Sequence, residues 1–248
     1  MNLRILSTPW AIFPAAADEA RRRLDQERAI STADFFTERR PLSVAGGIAR
    51  IHVYGPLIDD GPPIAERLGM TDYRTLVREI SSARQAGANT IILDVDSPGG
   101  MVSGLQEVVG QIVNGRETTI ANCRGMACSA AYWLASTCDR IVASPSCDLG
   151  SIGVVTVWED TSKLSERLGV QINVMSNEGA DLKGMGMGDS LTDEQVAWMQ
   201  ERLNEIGADF RAHVEGNRPN IDPVVFRAGH YSGMRAVDLG LADALTNA

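Results

Sequence analysis

Lysine is almost missing from this chain: its 248 residues hold two, Lys163 and Lys183, against 21 arginines. A guanidinium keeps its proton in a protein whereas an ammonium can lose it, so a chain that draws its positive charge from arginine has a chemical reason to retain a lysine. Histidine is scarce as well, at three residues, His52, His213 and His230. The four cysteines, Cys123, Cys128, Cys138 and Cys147, lack paired spacing with nearby histidines and are too few for a disulfide framework in a chain this long. They read as reduced core thiols, and neither a metal nor a cofactor is implied. A basic stripe is absent too, and the net charge of −9 excludes a nucleic-acid groove. No apolar run is long enough to span a bilayer. The stretch Ile5–Ala17 is interrupted by Pro9 and Pro14 and lacks a basic region ahead of it, so no membrane anchor is expected and the protein reads as soluble and cytoplasmic.

What is present is an alternation of strands and helices. The chain is 44% hydrophobic, enough for a core in one domain with an appendage. Residues 1–44 read as an arm with a charged helical piece at Asp18–Ile30, and residues 45–248 as the domain. Within the domain the pattern predicts strands at 48–54, 91–95, 118–122, 140–142, 152–157 and 171–175. Helices are predicted near 72–86, 103–114, 130–137, 161–168 and 192–215, with a short one at 233–239. The long C-terminal helix is given a buried face of Ala197, Leu203, Ile206, Phe210 and Val214. This order means an α/β fold with a mostly parallel sheet and C-terminal helices.

Four places carry candidate chemistry. Ser129, in Gly125-Met126-Ala127-Cys128-Ser129-Ala130-Ala131-Tyr132-Trp133, sits at the start of a helix. It is either a cap or a nucleophile whose oxyanion the Ala130 amide would receive. Gly99 and Gly100 follow a buried strand in Asp96-Ser97-Pro98-Gly99-Gly100; the pair makes an ordinary turn or brings the Gly100 amide to the same oxyanion. Lys183 lies among the glycines of residues 176–190 and is a surface charge or the general base. Ser151, in Gly150-Ser151-Ile152-Gly153-Val154, would hold the lysine amine in line. A histidine base is the competitor, although none of the three follows Ser129 at a spacing that brings it near.

Together these motifs resemble the signal peptide peptidase A family of serine-lysine peptidases, over roughly residues 45–245. The resemblance implies Ser129 as nucleophile, Lys183 as base, Ser151 as the lysine's partner, and the amides of Gly100 and Ala130 as the oxyanion hole. It also implies a Clp/crotonase-like spiral of ββα units. One departure is Ala130, where members usually have glycine. The opening Thr8-Pro9-Trp10-Ala11-Ile12 resembles the phage head-maturation branch, whose substrates would be capsid or scaffold proteins. A homo-oligomeric ring with active sites shared between subunits is implied as well.

Overall fold

The computed structural model describes residues 10–12, 42–62, 64–186 and 190–246. The helical piece expected at Asp18–Ile30 lies outside the described residues. Strands β1 (Trp10–Ile12), β2 (Ser43–Ala45), β3 (Ile48–Tyr54), β4 (Leu57–Ile58) and β5 (Thr71–Asp72) come first, with a short helix α1 at Ile64–Arg67. Helix α2 (Tyr73–Gln85), strands β6 (Thr90–Ser97) and β7 (Gly99–Met101), helix α3 (Leu105–Val113) and strand β8 (Thr118–Cys128) follow. Helix α4 (Ala130–Thr137) leads to β9 (Arg140–Ala143), β10 (Asp148–Gly150) and α5 (Ser162–Arg167). The chain ends through α6 (Asp193–Asn217), a 3₁₀ turn at Pro223–Arg227, β11 (His230–Ser232), α7 (Gly233–Asp238) and β12 (Ala244–Leu245).

Two sheets form. The larger runs β11-β10-β8-β6-β3-β2, with β9 on the first half of β8 and β12 on β9. Its central pairs β3/β6, β6/β8, β8/β9 and β8/β10 are parallel. The smaller sheet has the order β1-β7-β4-β5. A long strand, a short strand in the second sheet and a helix occur twice, as β3-β4-α2 (with α1 and β5 between) and β6-β7-α3, in keeping with the ββα units that the family resemblance implies.

Local chemistry sets these elements. In β6, Ile91, Leu93 and Val95 alternate onto the core face, as period-2 geometry requires. In α2, Tyr73, Leu76, Ile80 and Ala83 make one buried stripe, and the Asp72 carboxylate accepts from the Arg74 N–H to cap it. Helix α4 is different: Ala130 through Ser136 are all buried, the signature of a helix enclosed on every side. Trp133 stacks on Phe210 of α6 with centroids 4.3 Å apart, fixing the C-terminal helix to the core.

Three expectations need correction. Residues 152–157 form no strand beyond an isolated bridge at Val155, and residues 171–175 form none. Both stretches hold β-branched residues, but among the described residues neither pairs with a strand of the two sheets, and propensity alone does not make a strand. The buried face of α6 is confined to Ile206, Phe210 and Val214. Ala197 is exposed and Leu203 half-buried, because the N-terminal half of the helix extends past the core. Its Thr192–Gln195 capping box is present as the sequence suggests. Among the described residues no helix is long and apolar enough to cross a membrane.

Candidate active site

Strand β8 delivers Ser129 to the first turn of α4 in an unusual conformation. Its φ is 56° and ψ −123°, a positive φ that costs a non-glycine residue on the order of 1–2 kcal/mol. The serine makes no side-chain cap. Instead its carbonyl accepts from Trp133 N–H at 2.9 Å, starting the helix, and its own N–H donates to Gly150 O at 2.8 Å. Oγ donates to the carbonyl of Gly153 at 3.3 Å. An ordinary N-cap would adopt an extended backbone and turn its oxygen onto the helix amides; Ser129 does neither. Ala130, fully buried, opens the helix, where backbone amides lack intrahelical acceptors and the helix dipole favours negative charge.

Gly100 is brought alongside by the sheet. A bulge shifts the β6/β8 register between Val95 and Ser97, so that Ser97 pairs with Ala127, two residues before Ser129. The Ser97 hydroxyl then accepts from Gly99 N–H at 3.1 Å and donates to Gly55 O at 2.6 Å. The Asp96 carboxylate accepts from Met126 N–H at 3.0 Å. These two side chains fix the loop. A Cβ on Gly100 would run into the Leu57 backbone, so that position admits only glycine, whereas one on Gly125 would displace the Asp96 carboxylate.

Ser151 lies between the two residues that hold Ser129, since Gly150 accepts its N–H and Gly153 its hydroxyl. It also has a positive φ, 54°, and its N–H donates to Gly229 O at 2.7 Å. The acceptor role of Gly229, after a left-handed Ala228, has no signature in the sequence. Strand β10, which places Ser151, is only three residues long and ends in glycine.

Lys183 is in a different environment. It is exposed, in a turn where its N–H donates to Ala180 O at 3.0 Å. Gln195 Nε2 pins the same turn by donating to Asp181 O at 2.8 Å. No hydrogen bond joins Lys183 to Ser129 or Ser151 within the chain among the described residues. The sheet and helix contacts thus gather Ser129, Ser151, Gly100 and Ala130, and no hydrogen bond among the described residues draws the exposed Lys183 to them.

Neither the neighbouring thiol nor the histidines replace it. Burial pushes the Cys128 thiol up to about 12, so it stays protonated and poorly nucleophilic at neutral pH. All four cysteines are buried and free. His52 lies near Asp94, at 3.9 Å, and beside Tyr54. His213 contacts Thr137 and Asn217, and burial lowers its pKa. His230 stands opposite Gly150 in the β10/β11 pair, nearer than sequence spacing suggests, with Nδ1 3.3 Å from Asp148 Oδ1. None is hydrogen-bonded to Ser129 among the described residues, and no group of three acidic, histidine or cysteine side chains there could hold a metal.

Comparison with known proteins adds a family. Residues 116–248 match peptidase family S49, and residues 62–167 match the NfeD1b N-terminal domain. The capsid assembly protease C of Escherichia phage lambda is 30% identical over 217 residues, covering 85% of this chain and 49% of that protein. The head-tail preconnector protein GP5 of Enterobacteria phage P21 is 29% identical, covering 84% of this chain and 42% of its own length. Protease 4 of Salmonella typhi is 29% identical, with 88% and 35% covered. This chain thus spans half or less of the length of these relatives. Among solved structures, the 1510-N membrane-bound stomatin-specific protease in complex with a substrate peptide aligns with a TM-score of 0.42 at 14% identity, covering 79% of this chain and 75% of that one.

Proposed function

The chain belongs to peptidase family S49, and from that premise we propose that it is a serine endopeptidase with a Ser129–Lys183 dyad that processes capsid or scaffold proteins during phage head maturation. The strained, uncapped backbone of Ser129 at the strand-to-helix junction carries this reading. A serine held at positive φ with its hydroxyl turned away from the helix amides suits a nucleophile and is a costly way to cap a helix.

In the proposed reaction Ser129 Oγ gives up its hydrogen bond to Gly153 and attacks the scissile carbonyl as its proton passes to neutral Lys183 Nζ. The Gly100 and Ala130 amides receive the negative oxygen of the tetrahedral intermediate. The lysine then protonates the departing amine, leaving an acyl ester on Ser129. Water attacks the ester with the same lysine as base, freeing the acid and restoring the serine. Ser151 orients the amine. Arginine could not serve in that position, because it never becomes neutral.

Since Lys183 is exposed and makes no hydrogen bond to Ser129 among the described residues, the reading includes a homo-oligomeric ring in which a neighbour supplies the lysine. Supporting it, the segment that carries Lys183 exposes apolar side chains such as Val157, Leu168 and Met175, which a second copy would cover. The phage relatives favour a capsid substrate. A second reading, a cellular peptidase of the same chemistry, draws on the likeness to Protease 4. The location follows the reading: host cytoplasm or assembling prohead.

Covalent labelling by a fluorophosphonate probe tests the nucleophile, with labelling expected at Ser129 and lost in Ser129→Ala. Co-assembly of Ser129→Ala with Lys183→Ala tests the ring. In a random equal mixture about a quarter of the sites combine an intact serine with a neighbour's intact lysine. Activity recovered to that level supports sharing, whereas silence despite confirmed subunit exchange places the dyad in one chain.

A further inference from the structure

The strand that carries Gly100 has two edges, and both are occupied. One pairs with β4 through Leu57 and Gly100 in parallel. The other pairs antiparallel with β1, Trp10 opposite Met101, Ala11 opposite Gly100 and Ile12 opposite Gly99. Strand β1 belongs to the N-terminal arm, far in sequence from the domain it pairs with. At the same time Ser129 is only 1% exposed, so a substrate carbonyl cannot reach Oγ until something moves.

A polypeptide presenting its carbonyl to Ser129 and the Gly100 amide arrives with main-chain donors and acceptors that need partners. Extended peptides satisfy them by adding to a sheet edge as a further strand. Strand β4 is built into the domain by its pairing with β5, so the edge available to a substrate is the one β1 holds. Three residues of β1 pair with β7, and in the sequence Pro9 directly precedes them and Pro14 follows two residues later; proline cannot donate to a ladder, which disfavours a long self-pairing. Trp-Ala-Ile is itself uncharged, and its Trp and Ile favour extended backbone.

We propose that the outer edge of β7 is the binding site for an extended, uncharged polypeptide segment, and that β1 is its resident occupant, an intramolecular competitor that substrate displaces. The inference rests on the peptidase reading above. Its kinetic consequence is specific: when only a fraction of molecules have β1 released, apparent substrate affinity falls by that fraction while turnover of bound substrate is unchanged.

The test locks β1 in place in the full-length chain. Trp10 and Met101 are register partners, and antiparallel partners have Cα atoms about 4.5–5.5 Å apart, within the span of a disulfide. The double variant Trp10→Cys, Met101→Cys is oxidised, its cross-link is confirmed by mass, and fluorescein-casein cleavage is compared between its oxidised and reduced forms. At least a tenfold loss of kcat/KM on oxidation, reversed by reductant, is expected. As a second arm, deletion of residues 1–12 should lower KM for casein severalfold at constant kcat. Equal kcat/KM in the oxidised and reduced forms overturns the proposal, and so does failure of the two thiols to cross-link. If the reduced form neither cleaves casein nor labels with fluorophosphonate, the peptidase reading itself fails and the proposal falls with it.

Discussion

The region that holds Ser129 and the segment that holds Lys183 are built on opposite plans. Around Ser129 its chain neighbours are buried: Cys128, Ala130, Ala131, Tyr132 and Leu134 have no exposed surface, and bonds to β10 and the 150–153 loop fix the serine from two sides. Between residues 155 and 198 the reverse holds among the described residues. Leu168 is 68% exposed and Met175 93%, Trp158 and Trp198 are exposed as well, and the only regular element before α6 is the six-residue α5. A nucleophile whose oxyanion donors must be preorganised needs the first environment. A base that works once an assembly closes over it tolerates the second. That difference is the physical ground for the shared-site reading.

The largest expected effect cuts the comparison at its rigid end. Ser129→Ala should lower kcat by about 10⁴-fold or more with an unchanged melting temperature, since the buried hydroxyl makes one long bond to Gly153. Retained cleavage in a kinetic assay would remove Ser129 from the chemistry. At the other end, Lys183→Arg should be as damaging as Lys183→Ala, by about 10³-fold, although the side chain is exposed and its loss leaves the fold untouched. Activity preserved by arginine would make Lys183 a surface charge and direct attention to His230.

Stability should divide along the same line. Phe210→Ala removes a fully buried ring stacked on Trp133 and should cost about 3–5 kcal/mol in denaturant unfolding. Leu168→Ser, in the lysine segment, should change the stability of a single chain by less than about 0.5 kcal/mol yet weaken self-association measured by sedimentation. A large loss of single-chain stability from Leu168→Ser would mean that the segment already has a partner within its own chain.

The same divide decides what could be read from the residues alone. The runs in β3, β6 and the first half of β8, the stripe of α2 and the capping box of α6 are local patterns that tertiary structure reinforces, and they are legible. So is the placement of Ser129 at a helix start. Its positive φ is not, because serine carries no preference for that region, and the sheet imposes it through Gly150. Strand β7 reads as a turn, being Gly-Gly-Met, and becomes a strand only between Leu57 and the arm. Residues 152–157 and 171–175 mislead in the opposite way, since their β-branched side chains announce strands that no sheet edge among the described residues receives.

The smallest expected effect compares two carboxylates, one in each region. Asp243 closes the C-terminal end of the core: although partial burial works the other way, hydrogen bonds from Arg218 at 2.6 and 3.1 Å and from Ile141 N–H at 2.7 Å hold its pKa below the usual value. In the lysine segment, hydrogen bonds from Ser162 and Ser190 lower that of Asp160, which is wholly exposed. A carboxylate whose folded pKa is depressed contributes stability that is complete above its unfolded value, near 4, and is lost as pH falls through the folded value. Asp243 therefore should help drive acid unfolding below about pH 4. The Asp243→Asn variant should lose about 1 kcal/mol at neutral pH, a figure kept small by solvent screening at its exposed edge, and its stability should vary less with acid than that of the parent. Asp160→Asn should leave the unfolding curve unchanged at every pH, because the bonds it loses belong to a segment that is not part of the cooperative core. Urea titrations at pH 7 and pH 3.5 read both variants. An equal acid response in the two would mean that the lysine segment folds as one unit with the core, and the contrast between the regions would be one of exposure alone.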